Sequence, residues 1–200
     1  MRVYISADYD IDSGDRDVVK VLDGWSENEH LLVSFTDMAK VVTGSVSKDP
    51  DCRICELKRE FNTQINLSSY VIFVVGDKTA SRTAGSLCER CSKSQYECTC
   101  TPYKKNPCGS KICKVPNTYA VGPNDDVGYI NSYSYLRHEF EQAKKKNKKI
   151  IIVYNSLIKQ NSWLPWYMSE YECIAEPFWI RNANGQKVGN YSLIKRALGL

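Results

Sequence analysis

Residues 134–155 read SYLRHEFEQAKKKNKKIIIVYN, and they pass from a helical period to a continuous β-branched run across one short basic turn. Leu136, Phe140 and Ala143 fall at i, i+4 and i+7, the spacing of an inward helix face. Ser132 or Ser134 can cap the start, because a hydroxyl accepts from the unpaired amides of a first helical turn. Lys144, Lys145 and Lys146 fill the last turn, where the helix dipole favours cations. Ile150 to Val153 then predict a strand covered on both faces. Glu139 lies about 60° from Leu136, on the margin of the apolar stripe, while His138 and Glu141 are expected on the solvated side. Tyr135, four residues earlier, sits beside Glu139 on the helix surface. Glu139 has two readings: a carboxylate with chemistry to do against the sheet, or a marginal residue that snorkels to water or pairs with a nearby Lys or Arg.

Working outward, the same alternation recurs. Arg2–Ser6 (RVYIS) predicts a first strand, which opens into Ala7, Asp8, Tyr9 and Asp10. That loop reads either as a ligand loop or as a plain turn with a capping Asp. Asp17–Trp25 predicts a helix with Val18, Val21, Leu22 and Trp25 on one face. Leu31–Phe35 predicts a second strand ending at Thr36 and Asp37. Cys52–Asn66 predicts a helix that buries Ile54, Leu57, Phe61 and Ile65. Tyr70–Val75 (YVIFVV) is the clearest strand, closed by a turn at Gly76–Thr79. Later come an aromatic loop at Ser162–Tyr167, a short strand within Ala175–Ile180, a turn centred on Asn184-Gly185, and a helix at Tyr191–Leu198. Strands alternating with helices predict an α/β fold: a flavodoxin-like parallel sheet flanked by helices. Ligands of such sheets bind beyond the carboxyl ends of the strands. Ser6–Asp10, Thr36–Asp37 and Gly76–Ser81 belong to that edge.

Two hundred residues predict one domain, 1–200, with room for an insertion, or at most two small domains. The rhythm stops between residues 85 and 128. Cys88, Cys91, Cys98, Cys100, Cys108 and Cys113 crowd there, six of the nine cysteines, with little aliphatic content to build a core. C-x-x-C, C-x-C and C-x-x-x-x-C spacings suit thiolates around a tetrahedral zinc, and a polar insertion needs such a staple. Which four bind is open, and disulfides or a loose loop are the alternatives. Cys52 and Cys55, a C-x-x-C pair at i and i+3, read as two small helix residues, with a metal or redox role as the alternative. The net charge of +4 forces no nucleic-acid partner, and Lys104, Lys105 and Lys111 are a thin basic footprint. No apolar run approaches the roughly 20 residues that cross a bilayer. The chain enters a strand at once, with no signal peptide, so a cytoplasmic protein without membrane contact is expected.

RVYISADYD, YVIFVVGDKTASR and SYLRHEFEQAKKKNKKIIIVY, in this order and spacing, resemble a TIR-like domain, of the ThsB type found in bacterial Thoeris anti-phage systems. The resemblance covers Arg2 to Asn155 without the cysteine segment. It implies cleavage of NAD+ at the nicotinamide–ribose bond, with Glu139 as the catalytic glutamate. It implies that Ser6, Ala7, Asp8 and Tyr9 line the pocket, with Phe35 and Asp37 as further candidates at the next strand end. Tyr135 stands where the family carries Trp, and a phenol ring can still stack on a base or ribose. The long insertion after Arg82 is the larger departure. The resemblance also implies an ADP-ribose-derived signalling nucleotide, an effector protein that senses it, a phage-derived trigger and work as a homo-oligomer. Four competing readings are a catalytically silent TIR-like interaction module, a zinc-bearing nucleic-acid binder, a nucleoside deoxyribosyltransferase-like enzyme and a phospho-receiver. The last lacks a convincing acceptor, since Gly76-Asp77 would have to serve.

Overall fold

A computed structural model describes residues 1–8, 14–27, 33–37, 53–85, 103–105, 111–113 and 133–200, with the side chains of 53–56, 59, 103–105 and 111–113 left out. Five strands form one parallel sheet: β1 (Arg2–Ser6), β2 (Ser34–Asp37), β3 (Tyr70–Val75), β6 (Lys149–Tyr154) and β7 (Glu176–Pro177). Their order is β2-β1-β3-β6-β7. Two short antiparallel pairs stand apart: β4 (Tyr103–Lys105) with β5 (Lys111–Cys113), and β8 (Trp179–Arg181) with β9 (Lys187–Gly189). The helices are α1 (Asp15–Glu27), α2 (Arg53–Leu67), α3 (Tyr135–Lys145) and α4 (Tyr191–Leu198). The expected α/β class, a parallel sheet flanked by helices, is what the chain adopts.

The two-residue period of a strand sorts the core into two layers. Val3, Ile5, Ile72, Val74 and Val153 pack with Val18 and Leu22 of α1 and Ile194 of α4. Tyr4, Val71, Phe73, Val75 and Ile152 pack on the other face with Phe61 and Ile65 of α2 and Phe140 and Ala143 of α3. All six residues of β3 are buried because it lies mid-sheet under both layers. β2 runs two residues beyond the apolar signal. Its register with β1, Arg2↔Ser34 to Ile5↔Asp37, draws Thr36 and Asp37 into the ladder.

At α3, Ser134 is the cap, with Oγ accepting from the Arg137 amide at 3.2 Å. His138 corrects the expectation of a solvated side chain. It is fully buried, and its Nε2 meets Asn62 Oδ1 of α2 at 2.9 Å. Gln142 Nε2 donates to Asn66 Oδ1 at 3.0 Å along the same seam. Thus α3 has two covered sides, an apolar one on the sheet and a polar one on α2. The final strand is only two residues long before the chain leaves for the β8–β9 hairpin, whose turn carries Gly185 at φ 75°. The aromatic loop is two 3₁₀ turns, Asn161–Trp163 and Trp166–Tyr171. Among the described residues no helix is long and apolar enough to cross a membrane.

Cys88, Cys91, Cys98, Cys100 and Cys108 lie outside the described residues, and Cys113 is described in backbone only. Among the described residues no group of three His, Cys, Asp or Glu side chains could hold a metal ion.

Candidate active site

The alternation that sends Val3 and Ile5 to one layer sends Tyr4 and Ser6 to the other, beneath α3. Glu139 comes down onto them and is 3% exposed. The Tyr4 hydroxyl donates to its Oε1 and the Ser6 hydroxyl to its Oε2. The reading of Glu139 as a snorkelling or ion-paired surface residue is therefore overturned. Burial disfavours the anion and raises the pKa from 4.5 to about 7, while the Ser6 and Tyr4 hydroxyls act in the opposite direction. Near neutrality the group stands between its two protonation states.

Glu139 forms part of the wall of an open cleft with about 470 Å³ of empty space, open solvent included. Ser6, Ala7, Asp8, Val74, Thr79, Arg82, Ala84, Ser134, Tyr135 and Leu136 complete the lining. The cleft lies at the carboxyl edge of β1 and β3, where parallel sheets bind ligands. The turn after β3 locks itself. The Gly76 amide donates to Thr79 Oγ1 at 2.7 Å, and the Thr79 amide donates to the Gly76 carbonyl at 3.1 Å. Any side chain at Gly76 would put its Cβ 2.5 Å from Asp15 Oδ1. Asp15 is fully buried, its pKa raised from 3.8 to about 7 chiefly by that burial, against the Asn155 hydrogen bond. Asn155 Nδ2 donates to Asp15 Oδ1 at 2.9 Å, and Trp179 Nε1 donates to Asn155 Oδ1 at 2.6 Å. At the mouth, Arg82 Nε donates to Asp8 Oδ2 in an ion pair.

Tyr135 stands edge-on to Phe61, with ring centroids 5.5 Å apart. Gly85, at φ 77°, lies against that ring, and a Cβ there would come within 2.5 Å of it. The Tyr135 amide donates to the Ala84 carbonyl at 2.8 Å. Lys58 of α2, fully buried, donates from Nζ to the Gly85 carbonyl at 2.6 Å and to the Tyr133 carbonyl. One ammonium thus ties together the two points where the chain leaves and re-enters around residues 86–132. Both points adjoin the cleft wall.

Of the residues expected in the site, Ser6, Ala7, Asp8, Tyr135 and Glu139 meet in the cleft. Tyr9 lies outside the described residues. Phe35 and Asp37 are not among the lining residues. Phe35 packs against the α1 layer, and buried Asp37 takes a two-pronged contact from Arg16, at 3.0 and 2.6 Å. Sequence reasoning put Thr79 on the ligand edge without naming it a site residue, and it missed Tyr4, Arg82 and Lys58. The signal for Tyr4 was present, since residues two apart on a strand share a face. No protein-family model matches the chain, and no curated protein matches it in sequence.

Proposed function

We propose that this chain is an NAD+-cleaving, TIR-like enzyme that breaks the nicotinamide–ribose bond and yields an ADP-ribose-derived signalling nucleotide in anti-phage defence. The observation that carries the reading is the buried Glu139 carboxylate, gripped on both oxygens by Tyr4 and Ser6 at the base of an open cleft. The chemistry needs one anion and no acid. When the C1′–N bond breaks, its electron pair leaves with nicotinamide, which departs neutral from a cationic ring. The ribosyl fragment left behind is an oxocarbenium-like cation. A fixed carboxylate beside it stabilises the charge as it develops and orients the ribose hydroxyls. Water adds to C1′ and loses a proton, giving ADP-ribose, or a nucleophile held in the cleft takes its place. Ser6, Ala7, Asp8 and Tyr135 line the ribosyl path, and the ionised form of Glu139 is the working one. In this reading an effector protein senses the product, a phage-derived trigger starts the reaction, and the enzyme works in the cytoplasm as a homo-oligomer. Structural zinc on four of Cys88, Cys91, Cys98, Cys100, Cys108 and Cys113 is the staple their spacing supports.

Purified protein incubated with NAD+, followed by mass-resolved chromatography, tests the proposal. Wild type is expected to release nicotinamide, and Glu139→Gln to lose about a hundredfold or more of that rate. Equal turnover in both would remove Glu139 from the chemistry. Turnover of 2′-deoxynucleosides in place of NAD+ would point to deoxyribosyl transfer. Turnover in neither, with infected-cell lysate added as trigger, would favour the interaction module.

A further inference from the structure

The cleft has a second polar end, and the ion pair of Asp8 with Arg82 forms it. Both side chains line the cleft, 15% and 32% exposed, so the pair is partly buried yet within reach of a ligand that enters. Arg82 is held by a rigid turn. It follows the self-locked Gly76–Thr79 corner and the 3₁₀ turn Thr79–Ser81, and its amide donates to the Thr79 carbonyl at 3.2 Å. Asp8 lies two residues beyond Ser6, so their Cα atoms are at most about 7 Å apart, and Ser6, Asp8, Arg82 and Glu139 line the same cleft. In NAD+ a single ribose joins the scissile C1′–N bond to the diphosphate. With C1′ at Glu139, Arg82 is the cationic side chain of the lining that a diphosphate one ribose away can meet.

We infer that Arg82 is the diphosphate-binding residue of the cleft, and that Asp8 is a built-in competitor holding the guanidinium in place while the cleft is empty. The inference rests on the cleft being the dinucleotide site. A guanidinium carries five N–H donors in a planar fork, which matches phosphate oxygens in pairs and can serve a carboxylate and a phosphate together. A diphosphate brings more negative charge than one carboxylate, so it outcompetes Asp8 for the fork. Asp8 also repels the incoming anion. The two residues therefore carry opposite signs: loss of Arg82 weakens binding, and loss of the Asp8 charge strengthens it.

Calorimetric titration of ADP and of adenosine into the full-length protein tests this. ADP is expected to bind wild type, about tenfold or more weakly in Arg82→Gln, and severalfold more tightly in Asp8→Asn. Adenosine is expected to be indifferent to both changes. Absence of ADP binding, equal ADP affinity in wild type and Arg82→Gln, or weakening in Asp8→Asn would each overturn the inference. If Arg82→Gln fails to fold, Arg82→Lys keeps the charge without the fork and is expected to bind ADP severalfold more weakly than wild type, and an equal affinity would overturn the inference. ADP contains no nicotinamide–ribose bond. ADP held through Arg82 by a protein that leaves NAD+ intact would sink the cleavage reading and keep the subsite. NAD+ cleavage with ADP affinity indifferent to Arg82 would sink the subsite alone.

Discussion

Glu139 is governed by two opposed effects, of which burial is the larger. Burial among apolar neighbours favours the neutral acid, and the hydroxyls of Tyr4 and Ser6 favour the anion. The balance at about 7 sets the pH at which the ionised form becomes the major one. NAD+ cleavage is therefore expected to rise with pH through about 7 and then level off. Tyr4→Phe removes the donor to Oε1 and keeps the ring in its layer. The rising limb should move to higher pH by about one unit, a charged hydrogen bond being worth about 1.5–3 kcal/mol, with KM for NAD+ nearly unchanged. A pH–rate profile in the wild-type position would show that Tyr4 only fills space. Ser6 is expected in the pocket from the resemblance alone, but Tyr4 passes for one more apolar residue of RVYIS.

At the scale of elements, α3 does two jobs with adjacent residues. Phe140 and Ala143 hold it to the sheet, while His138 and Gln142 hold it to α2. Apolar periodicity reports only the first side, so Glu139 was read as marginal and His138 as solvated. β3 and α4 were legible to the residue, because β-branched runs and amphipathic helices with capped ends leave strong local signals. β2 was legible only in part, because its last residues enter the ladder through pairing with β1 and not through their own propensity. The join between α2 and the cleft wall was not legible at all, since a buried lysine looks like any other helix-face lysine. Lys58→Met should cost about 2–4 kcal/mol, because it leaves the Gly85 and Tyr133 carbonyls without a charged donor in a buried place. Denaturant unfolding checks it. A loss below about 0.5 kcal/mol would show that the ammonium is dispensable to this wall.

For the molecule as a whole, three buried groups among the described residues, Glu139, Asp15 and His138, shape the response to acid. Glu139 and Asp15 both have pKa values raised to about 7, from 4.5 and 3.8. Between those limits the folded protein keeps protons that the unfolded chain has released, so stability falls as pH rises. His138 acts in reverse. Burial and the Lys58 ammonium hold its pKa down to about 3, so from about 3 to 6.5 the unfolded chain binds a proton that the folded one refuses. From pH 5 to 6.5 two carboxyls oppose one imidazole. A net loss on the order of 1.4 kcal/mol per pH unit follows, with the optimum of these three groups near pH 4. Glu139→Gln should flatten that slope. Denaturant melts at half-unit pH steps measure both, and a wild-type stability that rises from pH 5 to 6.5 would refute the account.

Tyr4 and Glu139 are 135 positions apart in the chain, and Ser6 and Glu139 are 133 apart. A ribosome therefore delivers the two hydroxyls long before it makes the acid they grip. While the nascent chain is incomplete, it holds one half of the site and lacks the other. Under the proposed cleavage of NAD+, a coenzyme every cell depends on, this order of synthesis would act as a safeguard. Truncated or stalled products carrying only the first half have no carboxylate to use, and a fragment that begins after β3 has no hydroxyls to position one.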